Sequence, residues 1–343
     1  MLLRNSHRQR RLTTTLTAKI ALLFLLSVLG LQPSGAQRTS IAFWNVENLF
    51  DTIPSPFYDD SEFTPHGSGR WNTEKYNTKI ENLARVVDEL AADIVGLAEV
   101  ENEAVVRDLV RALETDYNYI HLTSGDSRGI DQALLYKGDR FFPDPDPADS
   151  LKPAARLLPS GMGREFLHVR GELCGERVDL IVCHMASNLN STLWRRRNME
   201  SLRTALENIL KNDPAANVIV MGDMNAVPDE KLVERTLGPL SSAWDFMYTP
   251  HLQNLAAGQG SYSYRGRWYL YDWMMVSPAI ARGTTLGVAD AGIYAREYLI
   301  SRGPGAGGSP SVDAPARPFR TFYGGDYLGG FSDHFPVWMV ISK

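Results

Sequence analysis

Acidic, amide and imidazole side chains recur in this chain immediately beside short apolar runs. Asn45 and Glu47 lie in TSIAFWNVENLF, Glu99 near the end of IVGLAEV, and His184 closes LIVCH. Asp223 and Asn225 close VIVMGDMN, Asp272 opens the apolar part of YDWMMVS, and Asp333 and His334 sit in FSDHFPV. An Asp or Asn after a strand is ordinarily a turn former, and a lone His ordinarily a satisfied structural residue. Six such runs in one chain change that balance, because apolar stretches of this length read as strands whose ends converge on one sheet edge. Glu99 and Asp333 are hard oxygen donors of the kind Mg²⁺ takes, and that ion commonly uses only one or two protein carboxylates. Zinc fits less well: His184 and His334 are far apart, no His-x-x-x-His helix occurs, and neither cysteine has a second sulfur at zinc spacing. A serine nucleophile lacks its Gly-x-Ser-x-Gly turn.

The elements that must position these groups follow from hydrophobic periodicity. A helix is predicted over about 72–91, where Tyr76, Ile80, Leu83, Val87 and Leu90 recur three and four apart. Further helices are predicted over 103–114 and about 193–211, the last with Leu202, Leu206, Ile209 and Leu210 inward. Strands are predicted at 39–50, 94–100, 132–137, 165–174, 177–185, 218–222, 269–277 and 334–342, and the sequence after 222 reads as irregular and helix-poor. The Gly-, Pro-, Ser- and Ala-rich segment 301–318 reads as a flexible loop inside one domain. Strands and helices alternate without a dinucleotide glycine fingerprint, so the expected class is α/β (α+β), with two packed sheets and helices outside.

Residues 1–36 stand apart. Arg4, Arg8, Arg10, Arg11 and Lys19 precede an apolar run, Ile20 to Leu31, and small residues at Ser34 and Ala36. That is the pattern of a secretory signal cleaved after Ala36. An uncleaved anchor is the alternative, but a spanning helix wants about 20 apolar residues and this run is shorter. Residues 37–343 are therefore expected as a single exported domain, periplasmic or secreted, monomeric and without stable membrane association. Removing five cations from 35 leaves 30 against 40 acidic residues, a formal charge of −10. Such a balance disfavours a duplex binder with a basic face. Arg195, Arg196 and Arg197 form the best local basic patch, with a solvated helix face as the equal alternative. Cys174 and Cys183 flank a turn read at Gly175–Glu176. Pairing 174 with 177 puts 183 opposite 168, roughly 20 Å from Cys174 at ~3.3 Å per residue. A disulfide spans about 7 Å between Cα atoms, so two thiols are expected despite export.

WNVEN at 44–48, LAEVEN at 97–102, CHMASN at 183–188, GDMN at 222–225, YDWMMVS and SDHFPV at 332–337 share a familiar order. Over essentially all of 40–343 the chain resembles the endonuclease/exonuclease/phosphatase superfamily (DNase I-like, exonuclease III-like). RTFYGGDYLGGFSDHFPV is similar to its exported, Bacteroidetes-type branch. The resemblance implies a four-layer α/β/β/α sandwich with two central mixed sheets and the active site at one sheet edge. It implies Mg²⁺, with Mn²⁺ or Ca²⁺ as substitutes, on Glu99, with Asn45 beside it and Asp333 as a further metal- or phosphate-side carboxylate. Asp223 and Asn225 match the pair that holds the attacking water and the phosphate. His334 matches the catalytic His and Asp272 the carboxylate that orients it. His184 matches a second His that stabilises the transition state or protonates the leaving oxygen, and Asp131 falls where that branch places a carboxylate behind it. Ser187, Asn188 and Arg195 are the remaining phosphate-binding candidates.

Departures matter as well. Ala186 stands where many relatives carry Pro or Lys, Trp273 follows Asp272, and the Arg-bearing signature of the inositol phosphatases is missing. These gaps count against a phosphoinositide more than against phosphodiester hydrolysis. A metal-dependent phosphodiesterase of nuclease type, acting on DNA or RNA, is thus the first expectation. A sphingomyelinase-like lipid phosphodiesterase, docking through residues near Trp268 and Phe331, is the second, and a sugar- or inositol-phosphate phosphatase the third. A non-catalytic exported binding module is the alternative of another class, since fold does not fix function.

Overall fold

The strand β1 (Arg38–Leu49) shows why the chain must layer. Its Ile41 and Phe43 pack into one apolar cluster, and its Ala42, Trp44 and Val46 into another. Alternate side chains leave opposite faces of a strand, so a strand apolar on both faces has to be covered on both. The later strand Asn217–Asp223 repeats this, with Ile219 and Met221 in the cluster shared with Ile41, and Val218 and Val220 in a third. Stacked in this way, the three clusters are helix on sheet, sheet on sheet and sheet on helix, the four-layer α+β sandwich.

The computed structural model describes residues 37–161, 163–302 and 315–343, and within it Arg38–Lys343 make one compact unit. The expected signal segment lies outside the described residues. One six-stranded sheet runs in the order β11 (Gly287–Ile293), β12 (Val337–Ser342), β1, β2 (Ile94–Val100), β4 (Asp131–Tyr136), β3 (Asn118–His121). The other runs β10 (Asp272–Val276), β9 (Asn217–Asp223), β8 (Glu176–His184), β7 (Phe166–Leu173), β5 (Phe141–Pro143), with β6 (Ala155–Leu158) also on β7. Each sheet holds one parallel pair, β1–β2 and β8–β9, among antiparallel neighbours. A parallel pair needs a crossover, supplied by α1 (Thr73–Leu90) in the first sheet and, after α2 (Glu103–Ala112), by α3 (Thr192–Asn212) in the second. Asn72 caps α1 by accepting from Lys75 N, and Ser191 caps α3 by accepting from Trp194 N. Ile80, Leu83 and Val87 of α1, and Leu202 and Leu206 of α3, are buried as their spacing requires. The carboxyl ends of the four parallel strands carry Asn45, Glu99, His184 and Asp223. Sheets of this kind bind ligands at such ends.

Several expectations change. The β7–β8 hairpin turns on Cys174 and Gly175, at φ 52° and 74°, so Leu173 pairs with Glu176 and His168 faces Ile181 rather than Cys183. Two-residue turns with both φ positive match the twist of the flanking strands, which moves the turn one residue earlier than expected. No disulfide forms, and both cysteines are buried. Ile300–Arg302 pairs with Ala316–Pro318, so the ends of the expected loop 301–318 form a short ladder, while 303–314 lie outside the described residues. Among the described residues, the stretch after 222 contains three short α-helices, Lys231–Leu237, Leu252–Ala256 and Pro278–Ala281. Among the described residues no helix is long and apolar enough to cross a membrane.

Gly222 lies in register with Cys183, and a Cβ there would sit 2.3 Å from the Cys183 carbonyl oxygen. Backbone at that distance cannot yield cheaply. Gly222→Ala is expected to lower unfolding stability by about 1–3 kcal/mol or more. A chemical denaturation midpoint equal to that of the parent would contradict the close approach.

Candidate active site

Asp223 and Asp272 end and begin adjacent antiparallel strands and are direct cross-strand partners. Both are buried, as are Asn45, His184 and His334, while Glu99 is slightly exposed. Asp272 Oδ2 lies 2.6 Å from His334 Nδ1 and accepts a second hydrogen bond, also 2.6 Å, from Ser261 Oγ. Nε2 of His334 therefore faces the cleft, 3.9 Å from Asp223 Oδ2 and from Asp333 Oδ1. The loop carrying this imidazole is tied to β1: Trp44 Nε1 donates to the His334 carbonyl, and Ser332 Oγ to the Asn45 carbonyl.

Asn45 joins the two sheets. Its Nδ2 donates to Glu99 Oε1 (3.2 Å) and to Asp223 Oδ2 (3.1 Å), while its Oδ1 accepts from Glu47 N. Asn45 thus orients the two carboxylates through its N–H groups, while its amide oxygen, which accepts one hydrogen bond, keeps a second lone pair for the expected metal contact. Asn48 N donates to Glu99 Oε2 and Asn225 N to Asp223 Oδ1. Glu47, Asn48, Glu99 and Asn225 all sit at positive φ, between 46° and 65°. Such conformations are costly for residues with a side chain and cluster where geometry is functional.

Burial, reinforced by Asp272, raises the Asp223 carboxyl to about 7. Burial would lower His334, but the Asp272 and Asp223 carboxylates outweigh it and hold the imidazole well above its ordinary value. His184 goes the other way: burial first, then the Arg164 and Arg128 charges, keep it neutral. The cleft above these groups has a volume of ≈ 830 Å³ and is also lined by Ser187, Asn188 and Asp333, as expected, and by Arg128, Arg164 and four tyrosines.

A divalent cation fits this donor set. Glu99 Oε1 and Asp223 Oδ2 converge on one amide nitrogen, and His184 Nε2 stands 3.6 Å from each, too far for a hydrogen bond. Asn45 Nδ2 already bridges the two carboxylate oxygens, and the imidazole nitrogen beside them completes a donor set that could hold a divalent cation. The ligand atoms of Asp223, Asp272 and His334 also lie within 4.8 Å of one another. There, however, Asp272 Oδ2 already serves His334 and Ser261. Asp333 is paired through Oδ2 with Arg320 Nη2 at 2.7 Å, which draws it toward the strap at 319–333.

Two expectations fail outright. Asp131 does not pair with His184: its Oδ2 lies 3.0 Å from His121 Nε2 and its Oδ1 accepts from Ser124 N, while His184 Nδ1 has no hydrogen-bond partner among the described residues. Strand β3 pairs with β4 locally and brings His121 to Asp131, a contact the motif spacing does not reveal. Arg195 is not among the residues that line the cleft: its side chain is mostly buried, and its Nη2 donates to the Asn225 carbonyl and to Glu230. It braces the loop after β9. The cationic side chains at the cleft, Arg128 and Arg164, come from loops without periodic signal. Glu47 was visible in WNVEN, but not its partners: Arg320 and the N–H groups of Thr321 and Phe322.

Residues 40–343 match the endonuclease/exonuclease/phosphatase family, and the chain belongs to it. It is accordingly a phosphoester hydrolase. The D. rerio TDP2 structure in complex with a single-strand DNA product is similar (TM-score 0.56, 17% identity, covering 90% of this chain and 100% of that one). So are an endonuclease/exonuclease/phosphatase family protein from Bacteroides thetaiotaomicron (0.53, 16%, 90% and 98%) and a mannosyl-6-phosphatase from the same organism (0.51, 16%, 88% and 99%). No curated protein sequence matches the chain.

Because Asp272 both orients His334 and holds its charge, Asp272→Asn is expected to lower kcat by about 10²–10⁴, the range of a lost acid–base partner. Steady-state kinetics on any accepted phosphoester checks this, and a kcat within twofold of the parent would remove the pair from the reaction.

Proposed function

We propose that this is an exported, Mg²⁺-dependent phosphodiesterase of nuclease type. The observation that carries the reading is the buried His334–Asp272 pair set against Asp223, with Asn45 holding Asp223 and Glu99 together. A divalent cation held by Glu99, with His184 beside it, would supply positive charge to the phosphate. The chain's own groups do the rest. His334, held as imidazolium, presents Nε2–H to the phosphate, and Asp272 keeps the other ring proton on Nδ1. Asp223, directed by Asn45 and Asn225, accepts a proton from the attacking water. Asn225 Nδ2 is anchored on the Met185 carbonyl, which fixes the side of the cleft where His184, Ser187 and Asn188 meet the departing oxygen. Passage out of the cytoplasm rests on the basic and apolar pattern of residues 1–36.

One observation favours a second reading, a lipid phosphodiesterase. Leu189, 98% exposed, stands at the cleft rim, with Leu193 and Trp194 half-exposed beside it. These, and not the expected Trp268 and Phe331, are the candidates for a membrane contact: Phe331 is buried and Trp268 stacks on Phe335.

The test is hydrolysis of plasmid DNA, single-stranded RNA, bis-p-nitrophenyl phosphate and sphingomyelin vesicles, with Mg²⁺ and with EDTA, using His334→Ala as the blank. Nucleic-acid cleavage that needs metal and falls at least 10²-fold in the blank is expected. Turnover of sphingomyelin alone would transfer the mechanism to the lipid reading, and turnover that survives both EDTA and His334→Ala would overturn the mechanism.

A further inference from the structure

We propose that the cleft takes an unpaired polynucleotide strand, stacking its bases on a tyrosine wall and holding a neighbouring phosphate on Arg128 and Arg164. The inference rests on the nuclease reading above and specifies its substrate.

The wall is built on a hairpin, Tyr262–Tyr264 against Arg267–Tyr269, closed by Arg265 and Gly266 at φ 49° and 74°. Tyr262 and Tyr269 are cross-strand partners, and Tyr264, two residues on, shares the face of Tyr262. Tyr271 follows on the way into β10. All four line the cleft. Three of them form a row that begins at the catalytic imidazole. The Tyr262 ring lies 4.8 Å from His334, Tyr271 is stacked 5.5 Å from Tyr262, and Tyr269 is stacked 5.2 Å from Tyr271. Tyr264 is 51% exposed at the rim. Asn188 Nδ2 donates to the Tyr271 hydroxyl, which holds the row in place. Tyr271 lies between Tyr262 and Tyr269, so the rings left to meet a base are Tyr269 at the end of the row and Tyr264 at the rim, which suits a ligand whose own flat rings lie beside its phosphates.

The cations supply the other half. Arg128 Nη2 donates to Asn48 Oδ1 and Arg164 Nε to Asp126 Oδ2, each contact engaging one nitrogen of a five-donor fork. Both guanidinium groups line the same cleft as His184 and Glu99, where a second phosphate of the same chain would meet them. A sugar monophosphate has no second phosphate and no flat ring for these groups. A duplex hides its ring faces within its own stack, and it also calls for a basic face, whereas this chain carries a formal charge of −5.

The experiment compares KM for a single-stranded oligonucleotide, the same strand annealed to its complement, the same strand with a run of abasic sites, and methyl p-nitrophenyl phosphate. Parent protein, Tyr269→Ala and Arg128→Gln are run in parallel. The unpaired, base-bearing strand should have a KM about tenfold or more below the abasic and duplex forms, the effect of one or two base stacks. Tyr269→Ala should erase the advantage over the abasic strand, and Arg128→Gln should raise KM for both strands relative to the small diester. Equal KM for base-bearing and abasic strands, or for single strand and duplex, would overturn this inference while leaving a nuclease. Turnover of the small diester with none of the strands cleaved would overturn the nuclease reading as well.

Discussion

Asp223 and Asp272 are buried side by side on adjacent strands at the floor of the cleft, and Glu99 reaches toward the Asn45 amide that also meets Asp223. Carboxylates buried in this way raise one another's affinity for protons and cost stability unless each is met by a donor or a cation. The rest of the site follows from that requirement. Asp272 is met by His334 and Ser261, Asp223 by Asn45 and Asn225 N, and Glu99 by Asn45 and Asn48 N. Shared among three carboxylates, these donors leave an excess of negative charge beside Glu99. The proposed divalent cation would complete the balance, which would link the stability of the site to its chemistry.

Meeting those demands constrains the backbone. Four residues around the site adopt positive φ so that their N–H groups or side chains turn inward. The segment bearing His334 is held by a second buried network. Lys79 of α1 is fully buried and donates to Thr321 Oγ1 and to the Phe331 carbonyl, while Glu47 accepts from the backbone of Thr321 and Phe322. Burial, then Asp333, raises Glu47 to about 7, and burial lowers Lys79 to about 8 against the pull of Glu47. Arg320 carries the connection on to Asp333, next to the catalytic imidazole. A charged network of this kind is weak evidence of added stability, but it fixes one arrangement of the strap.

Much of this was legible in the sequence because the strands are apolar and the reacting groups stand at their ends. The runs around Asn45, Glu99, His184, Asp223 and Asp272 are buried on both faces, so their composition alone marks them, and α1 and α3 declare themselves by a repeating stripe. What stayed hidden was partner choice. Asp131 and Arg195 were plausible by position, yet each meets a neighbour brought in by a short strand or a turn, His121 in one case and Glu230 in the other. Arg128, Arg164 and Arg320 lie in loops, where neither period nor propensity says which way a side chain turns. Strand β11 exposes Ala289 and Asp290 and is bulged at Val288/Asp290, so it carries little alternation to read.

The central claim of the proposed mechanism is that Glu99 holds a divalent cation that the reaction needs. Titration calorimetry of Mg²⁺ and Mn²⁺ into substrate-free protein, beside Glu99→Gln and Ser201→Ala as a surface control, tests it most directly. The account predicts one saturable site in the parent and the control, and its loss or a weakening of at least tenfold in Glu99→Gln. Equal binding by Glu99→Gln and parent, or no saturable binding by the parent, would contradict it.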